Sequence, residues 1–257
     1  MVDIHEVAPY HPDADRFAHE PTFVQARVGH GSDDAVMVQF AEELIQRALS
    51  RHGDELRFFL AQPCSAPDTW SSLCAGTDSP SLGIEYVRQA VCKLIPNSTW
   101  VPTQTYAAEH NSRKRKFIQC VHAGRLSVLF GDIFEIVDGR AASWDYVGGR
   151  NISRPSAKWK IAGFPCQDAS SLNERHRTST NRNAIADNSL RTGKVFNAIV
   201  AIDEDDASSE WAIYENVVQL AAQPRNDDGS IVGPSNLAVA VHMWVSNLFW
   251  LYWDARF

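Results

Sequence analysis

Lys158-Trp159-Lys160-Ile161-Ala162-Gly163-Phe164-Pro165-Cys166-Gln167 is the stretch on which the fold turns. Its first seven residues read as a short buried strand, and Gly163 and Pro165 mark the turn that ends it. Proline locks its own φ and restricts Phe164 before it, so Cys166 follows a stiffened strand end. A cysteine held there is placed like a nucleophile. A buried, inert thiol is the commoner fate of a free cysteine.

The same grammar repeats on both sides. Trp70-Ser71-Ser72-Leu73-Cys74-Ala75 reads as a strand before Gly76. Ile84, Val87, Val91 and Leu94 give a helical face that stops before Pro96. Gln104–Ala108 reads as a strand ending at Glu109, and Arg113-Lys114-Arg115-Lys116 as a short helix after it. Leu126–Phe130 reads as a strand ending in Gly131-Asp132. Leu190, Phe196, Ile199 and Val200 mark a helix, and Glu210–Tyr214 a strand ending at Glu215-Asn216. Strands alternating with helices predict an α/β fold with a doubly wound, mostly parallel sheet. Ligands in such sheets sit outside the carboxyl ends of the strands. Gly76, Glu109, Asp132, Cys166 and Glu215 all fall at predicted strand ends.

The 257 residues suffice for one full α/β domain. The formal charge of −7 is uneven: residues 1–68 hold 12 acids and five Lys/Arg, and the remainder 19 of each. Residues 1–68 therefore read as an acidic N-terminal extension with one amphipathic helix, about Ala35–Ser50, capped by Asp33-Asp34. Residues 69–257 read as the α/β domain. Between Arg150 and Lys194 stand nine Lys/Arg and three acids, a segment that suits either a polyanion or a solvated loop. Five cysteines without C-x-x-C or zinc spacing predict free thiols in a reduced, intracellular setting and no metal. Leu237–Trp253 is largely apolar but broken by His242, Ser246 and Asn247. Two buried strands fit it better than a membrane span.

Motif by motif, the chain resembles the DNA (cytosine-5)-methyltransferase family. Gly163-Phe164-Pro165-Cys166-Gln167 is similar to that family's catalytic Pro-Cys loop, and Tyr214-Glu215-Asn216-Val217 to its Glu-Asn-Val motif. Ser72–Ser79, Ala107–Asn111, Phe130–Ile133 and Arg191–Phe196 are similar to its cofactor motifs, in the family's order. The resemblance covers roughly residues 69–220. It implies a Rossmann-like fold that uses S-adenosyl-L-methionine and acts on DNA, with the RNA-modifying branch as the alternative. It implies a nuclear location in a eukaryote and a cytoplasmic one otherwise.

The resemblance carries roles onto individual residues. Cys166 would add to cytosine C6, with Pro165 shaping its loop, Glu215 acting at N3 and Asn216 orienting the turn. Leu73, Cys74, Gly76, Glu109, Asp132, Ile133 and Val195 would line the cofactor site, Glu109 taking the ribose hydroxyls and Asp132 the adenine amino group. Gln167, Ser170, Arg175 and Arg177 would meet nucleic acid. Three departures stand out. Cys74 replaces an aromatic, Ser72 replaces an acid, and Asp78-Ser79 replace a glycine pair. No target-recognition region is recognisable, which reads as truncation before it. Two other readings compete: a methyltransferase-like binding module without turnover, and an unrelated thiol enzyme pairing Cys166 with His176 or His110.

Overall fold

In a computed structural model of the chain, the described residues are 33–61, 67–122, 124–165, 189–215 and Ser230. Five strands form one parallel sheet: β1 (Thr69–Leu73), β2 (Thr103–Ala108), β3 (Leu129–Phe130), β6 (Trp159–Gly163) and β7 (Trp211–Glu215). Their order is β3-β2-β1-β6-β7. The order reverses between β1 and β6, which opens a crevice at their carboxyl ends. This is the Rossmann-like arrangement expected from the alternating pattern.

Side-chain alternation explains how both faces are covered. Tyr106, Ala108 and Phe130 point into the main core with Leu73, Ala162, Phe164 and the apolar side of α4 (Arg191–Asp205). Ala107 and Leu129, one residue out of phase, pack instead on Ile118 of α3 (Ser112–Val121). A strand residue can serve only one face, so helices on both faces need apolar side chains at consecutive positions. A third cluster joins α1 (Asp33–Ala61) to α2 (Ser79–Leu94) through Leu60, Val91, Ile95 and Leu56.

Three local expectations need correction. The first helix runs over Asp33–Ala61 rather than 35–50, and Gly53 (φ 45, ψ −120) bends it with a backbone that glycine adopts cheaply. Asp34 accepts a hydrogen bond from Tyr86 Oη at 2.6 Å, linking α1 to α2. The strand expected over 126–130 shrinks to two residues. The segment 136–157 also contains an unforeseen antiparallel hairpin, β4 (Ala142–Asp145) with β5 (Arg150–Ser153). The buried Asp145 holds the hairpin's turn by accepting from Leu129, Val147 and Gly148 N–H. Such polar, backbone-directed contacts leave no hydrophobic period to read. No helix among the described residues is long and apolar enough to cross a membrane. Leu237–Trp253 lies outside the described residues.

Part of the basic segment is consumed internally. Lys160 is fully buried between Asp203 and Asp206, with 3.2 Å to each. Arg154 pairs with Asp205 at 2.8 Å and donates to Ile136 O. Lys160 ties the end of α4 to the sheet and Arg154 ties it to the segment before the hairpin, so neither charge is available to a polyanion.

Candidate functional site

β1 ends in a tight turn. Cys74 (φ 54), Gly76 (φ 62) and Asp78 (φ 58) are all left-handed. Only at Gly76 is that conformation free of cost; a Cβ there would meet nothing within 4 Å, so open space lies beside the turn. Asp78 stands at the N-cap of α2 but makes no side-chain cap. Its buried carboxylate turns inward, accepting from Ser72 Oγ at 2.7 Å and from Gln104 Nε2 at 3.0 and 3.2 Å. Asp tolerates the left-handed region better than most residues, and the buried bonds hold it there. The residue pair that departs from the family pattern at positions 72 and 78 is thus one hydrogen-bonded unit.

Burial raises the Asp78 carboxyl above its ordinary value, against the opposing pull of Ser72, Gln104 and the nearby His122. An acid whose folded-state pKa is raised binds its proton more tightly when folded. Its effect on stability therefore becomes more favourable as pH falls through the folded-state value toward the unfolded one, about 3.9. Asp78→Asn cannot titrate and supplies the baseline. Urea titrations at pH 7 and at about pH 4 should show wild type gaining on Asp78→Asn at the lower pH. Asp78→Ala should lose about 1–3 kcal/mol through stranded donors. A wild-type advantage that grows toward high pH contradicts the assignment.

The second strand end is cross-linked to the first. Glu109 is 3% exposed; its Oε2 accepts from Gly76 N–H at 2.7 Å and its Oε1 from Asn111 N–H at 2.8 Å. His110 Nδ1 lies 3.2 Å from Glu109 Oε1, and His110 Nε2 lies 2.8 Å from Arg191 Nη2. Arginine can only donate, so Nε2 accepts and Nδ1 carries the proton toward Glu109. The chain Arg191–His110–Glu109–Gly76 ties the start of α4 to the ends of β2 and β1. Arg191 and Asp78 were not among the expected site residues. Arg191 lay within a recognisable motif, but only its pairing with His110 exposes its role.

Cys74 sits beside this network. Burial, then the charges of Glu109 and Asp132, push its thiol up to about 12, while Arg191 and Lys114 pull the other way. It is a neutral thiol at physiological pH and not a nucleophile. Asp132 accepts from Phe134 N–H at 3.2 Å and caps a single 3₁₀ turn, Ile133–Glu135. Leu73, Ile133 and Val195 are all buried members of the main core.

On the other side of the crevice, β6 and β7 end in register, Gly163 opposite Glu215. A Cβ on Gly163 would lie 3.2 Å from Glu215 Oε2, so glycine leaves room for that carboxylate. Thr192 Oγ1 donates to Pro165 O at 2.9 Å, tying the start of α4 to the residue before Cys166. Cys166, Gln167, Ser170, Arg175, Arg177, His176 and Asn216 lie outside the described residues. Of the expected site residues that are described, Cys74, Glu109 and Gly76 form one contiguous group, with Asp132 near enough to act on the Cys74 thiol. Pro165 and Glu215 end neighbouring elements at the same edge of the sheet. Both ring nitrogens of His110 face protein partners, which counts against its use as a base for Cys166.

The groups around Gly76 fit a nucleoside. The open side of a glycine turn gives room, and Glu109 Oε2 retains acceptor capacity beyond its single N–H bond, whereas Oε1 already faces Asn111 N–H and His110 Nδ1. Asp132 supplies a further acceptor at the next strand end. No group of three or more His, Cys, Asp or Glu among the described residues could hold a metal ion.

The sheet order defines a Rossmann-like α/β domain, and in folds of this kind ligands sit at the switch point, here between β1 and β6. No protein-family model matches the chain, and no curated protein matches it either.

Proposed function

We propose that this chain is a cytosine-5 methyltransferase-like domain that methylates cytosine in DNA through a covalent Cys166 adduct, with S-adenosyl-L-methionine as donor. The observation that carries the reading is the shared edge of β6 and β7. Glu215 packs against Gly163, three residues before Cys166, beside the crevice built by Gly76, Glu109 and Asp132.

The chemistry needs these groups together. Cytosine C5 is a poor nucleophile. Cys166 Sγ, as thiolate, forms a bond to C6 and sends the ring's electron pair toward C5 and N3. Glu215 meets that charge by hydrogen bonding or proton donation at N3. Glu109 would hold the ribose hydroxyls and Asp132 the adenine amino group, with Leu73, Ile133 and Val195 beneath. The bound donor supplies an electrophilic methyl group on a sulfonium. Loss of the C5 proton then lets the C6–S bond break and returns Cys166. A base inside a duplex hides its Watson–Crick edge, so it must be flipped out before Glu215 can reach N3. A reduced compartment, the nucleus in a eukaryote, follows from this reading.

One observation favours a second reading, a binding module without turnover. Glu109 is already held by two backbone N–H groups, and Cys74 stands where an aromatic would cover the adenine. One experiment separates the two. The protein and Cys166→Ser are incubated with labelled S-adenosyl-L-methionine and oligonucleotides containing 5-fluorocytosine, as DNA and as RNA. A DNA adduct formed by wild type alone is the expected result, and an RNA-only adduct moves the substrate to the RNA branch. Cofactor binding without any adduct makes the chain a binding module. Absence of cofactor binding would falsify both.

A further inference from the structure

We propose that the outer face of the β4–β5 hairpin and the first turn of α3 form a contact surface for single-stranded nucleic acid, bordering the strand-end crevice. The surface combines exposed rings with clustered cations, and it does not depend on the methyl-transfer chemistry.

Along β4, Ser143 and Asp145 are buried, while Trp144 (45% exposed) and Tyr146 (36%) alternate with them and face outward. The two rings stand two residues apart, roughly 7 Å along the chain. Val147, in the turn, is 46% exposed. Large apolar groups exposed together on a short hairpin need a reason beyond packing. The platform is firmly held. Asp145 fixes the turn through three backbone N–H groups, and Tyr146 N–H donates to Leu129 O at 2.7 Å.

The cations come from α3. Arg115 lies over the Tyr146 ring, 4.3 Å from its centroid, and Gln119 Nε2 donates to Tyr146 O at 2.6 Å. Lys114 and Lys116 are exposed in the same first turns, and the first turn of α3 itself contains no acid. Cations at a helix N-terminus oppose its dipole, so the arrangement is unfavourable until an anion neutralises it. Arg150, exposed on β5, adds charge from the hairpin side. Glu135 Oε2 and the Tyr146 ring both flank Gly131. Asp145, adjacent to Tyr146 in the chain, is buried and occupied by backbone donors.

Flat rings between flexible cations are what successive unpaired bases and their phosphates require. An acidic peptide would use the cations and leave the rings idle. Duplex would meet the phosphate-binding cations but hide its base faces.

The test uses the full chain and a fluorescein-labelled 20-nucleotide strand of mixed sequence, read by anisotropy. Wild type should bind, and the salt dependence should weaken in Lys114→Glu/Lys116→Glu. Trp144→Ala/Tyr146→Ala should lose on the order of ten-fold or more, while Trp144→Phe/Tyr146→Phe, which keeps the rings, should stay near wild type. Circular dichroism melts establish that each variant is folded. The readout needs no methyl donor, so failure of the methyl-transfer reading leaves this result standing. The proposal is overturned if wild type ignores the strand, if the alanine pair binds unchanged, if the alanine pair weakens duplex binding as much as strand binding, or if polyglutamate displaces the strand at equal charge concentration.

Discussion

Lys160→Met is expected to remove about 3–5 kcal/mol of folding stability, the usual cost of stripping one partner from a buried ion pair. Lys160 sits in the middle of β6, between β1 and β7, with no exposed surface. Its ammonium lies 3.2 Å from both Asp203 Oδ1 and Asp206 Oδ2 and donates to Ala157 O at 3.4 Å. Without it two carboxylates remain near the sheet with no cation between them. Asp206 keeps the N–H of Ala157 and the hydroxyl of Ser208, and Asp203 keeps Ser209, but these are neutral donors.

The pH dependence follows from Asp206. Burial pushes its carboxyl up, yet Ser208, the Ala157 N–H and Lys160 together pull it below the ordinary value. A depressed acid contributes stability that is present above its unfolded pKa, about 3.9, and is lost as pH falls through the folded value. Lys160 is part of that contribution, so the gap between wild type and Lys160→Met should be widest at neutral pH and narrow below about pH 4. Urea unfolding followed by circular dichroism at pH 7 and at low pH measures both. A loss under about 1 kcal/mol at neutral pH would mean that solvent reaches the pair.

Glu215→Gln is expected to slow adduct formation with 5-fluorocytosine DNA by about 10²-fold or more, within the span of a positioned acid–base group. Glutamine keeps the shape beside Gly163 but can neither give nor take a full proton at N3. The side chain is exposed and makes no buried ion pair among the described residues, so the melting temperature should move little. A slowed reaction with unchanged stability and unchanged cofactor binding assigns Glu215 to the chemistry. An unchanged rate removes it from the mechanism and leaves Cys166 without its partner.

Much of the framework is legible in the chain because burial on two faces leaves a signature. Tyr106-Ala107-Ala108 and Leu129-Phe130 are consecutive apolar residues, and consecutive apolar residues in a strand require cover on both sides. The positions of Gly76, Glu109, Asp132 and Glu215 at strand ends follow from where those runs stop. The hairpin was not legible. Its buried members include Ser143 and Asp145, polar residues satisfied by backbone groups of distant elements. Lys160 inside the apolar Trp159–Gly163 run carried a hint, since a buried lysine demands acids. The sequence did not say that the acids would be Asp203 and Asp206, more than forty residues on.

By itself, then, the sequence determined the alternating α/β order, the parallel sheet and the residue types at the strand ends, because these depend on local period and turn chemistry. Tertiary structure alone decided which of them meet. It brought Gln104 onto both Ser72 and Asp78, bridged Arg191 to Glu109 through His110, and set Glu215 against Gly163. Each of these contacts spans a parallel crossover or a neighbouring strand. Its free energy depends on desolvation and on hydrogen-bond geometry that exists only once the sheet is assembled.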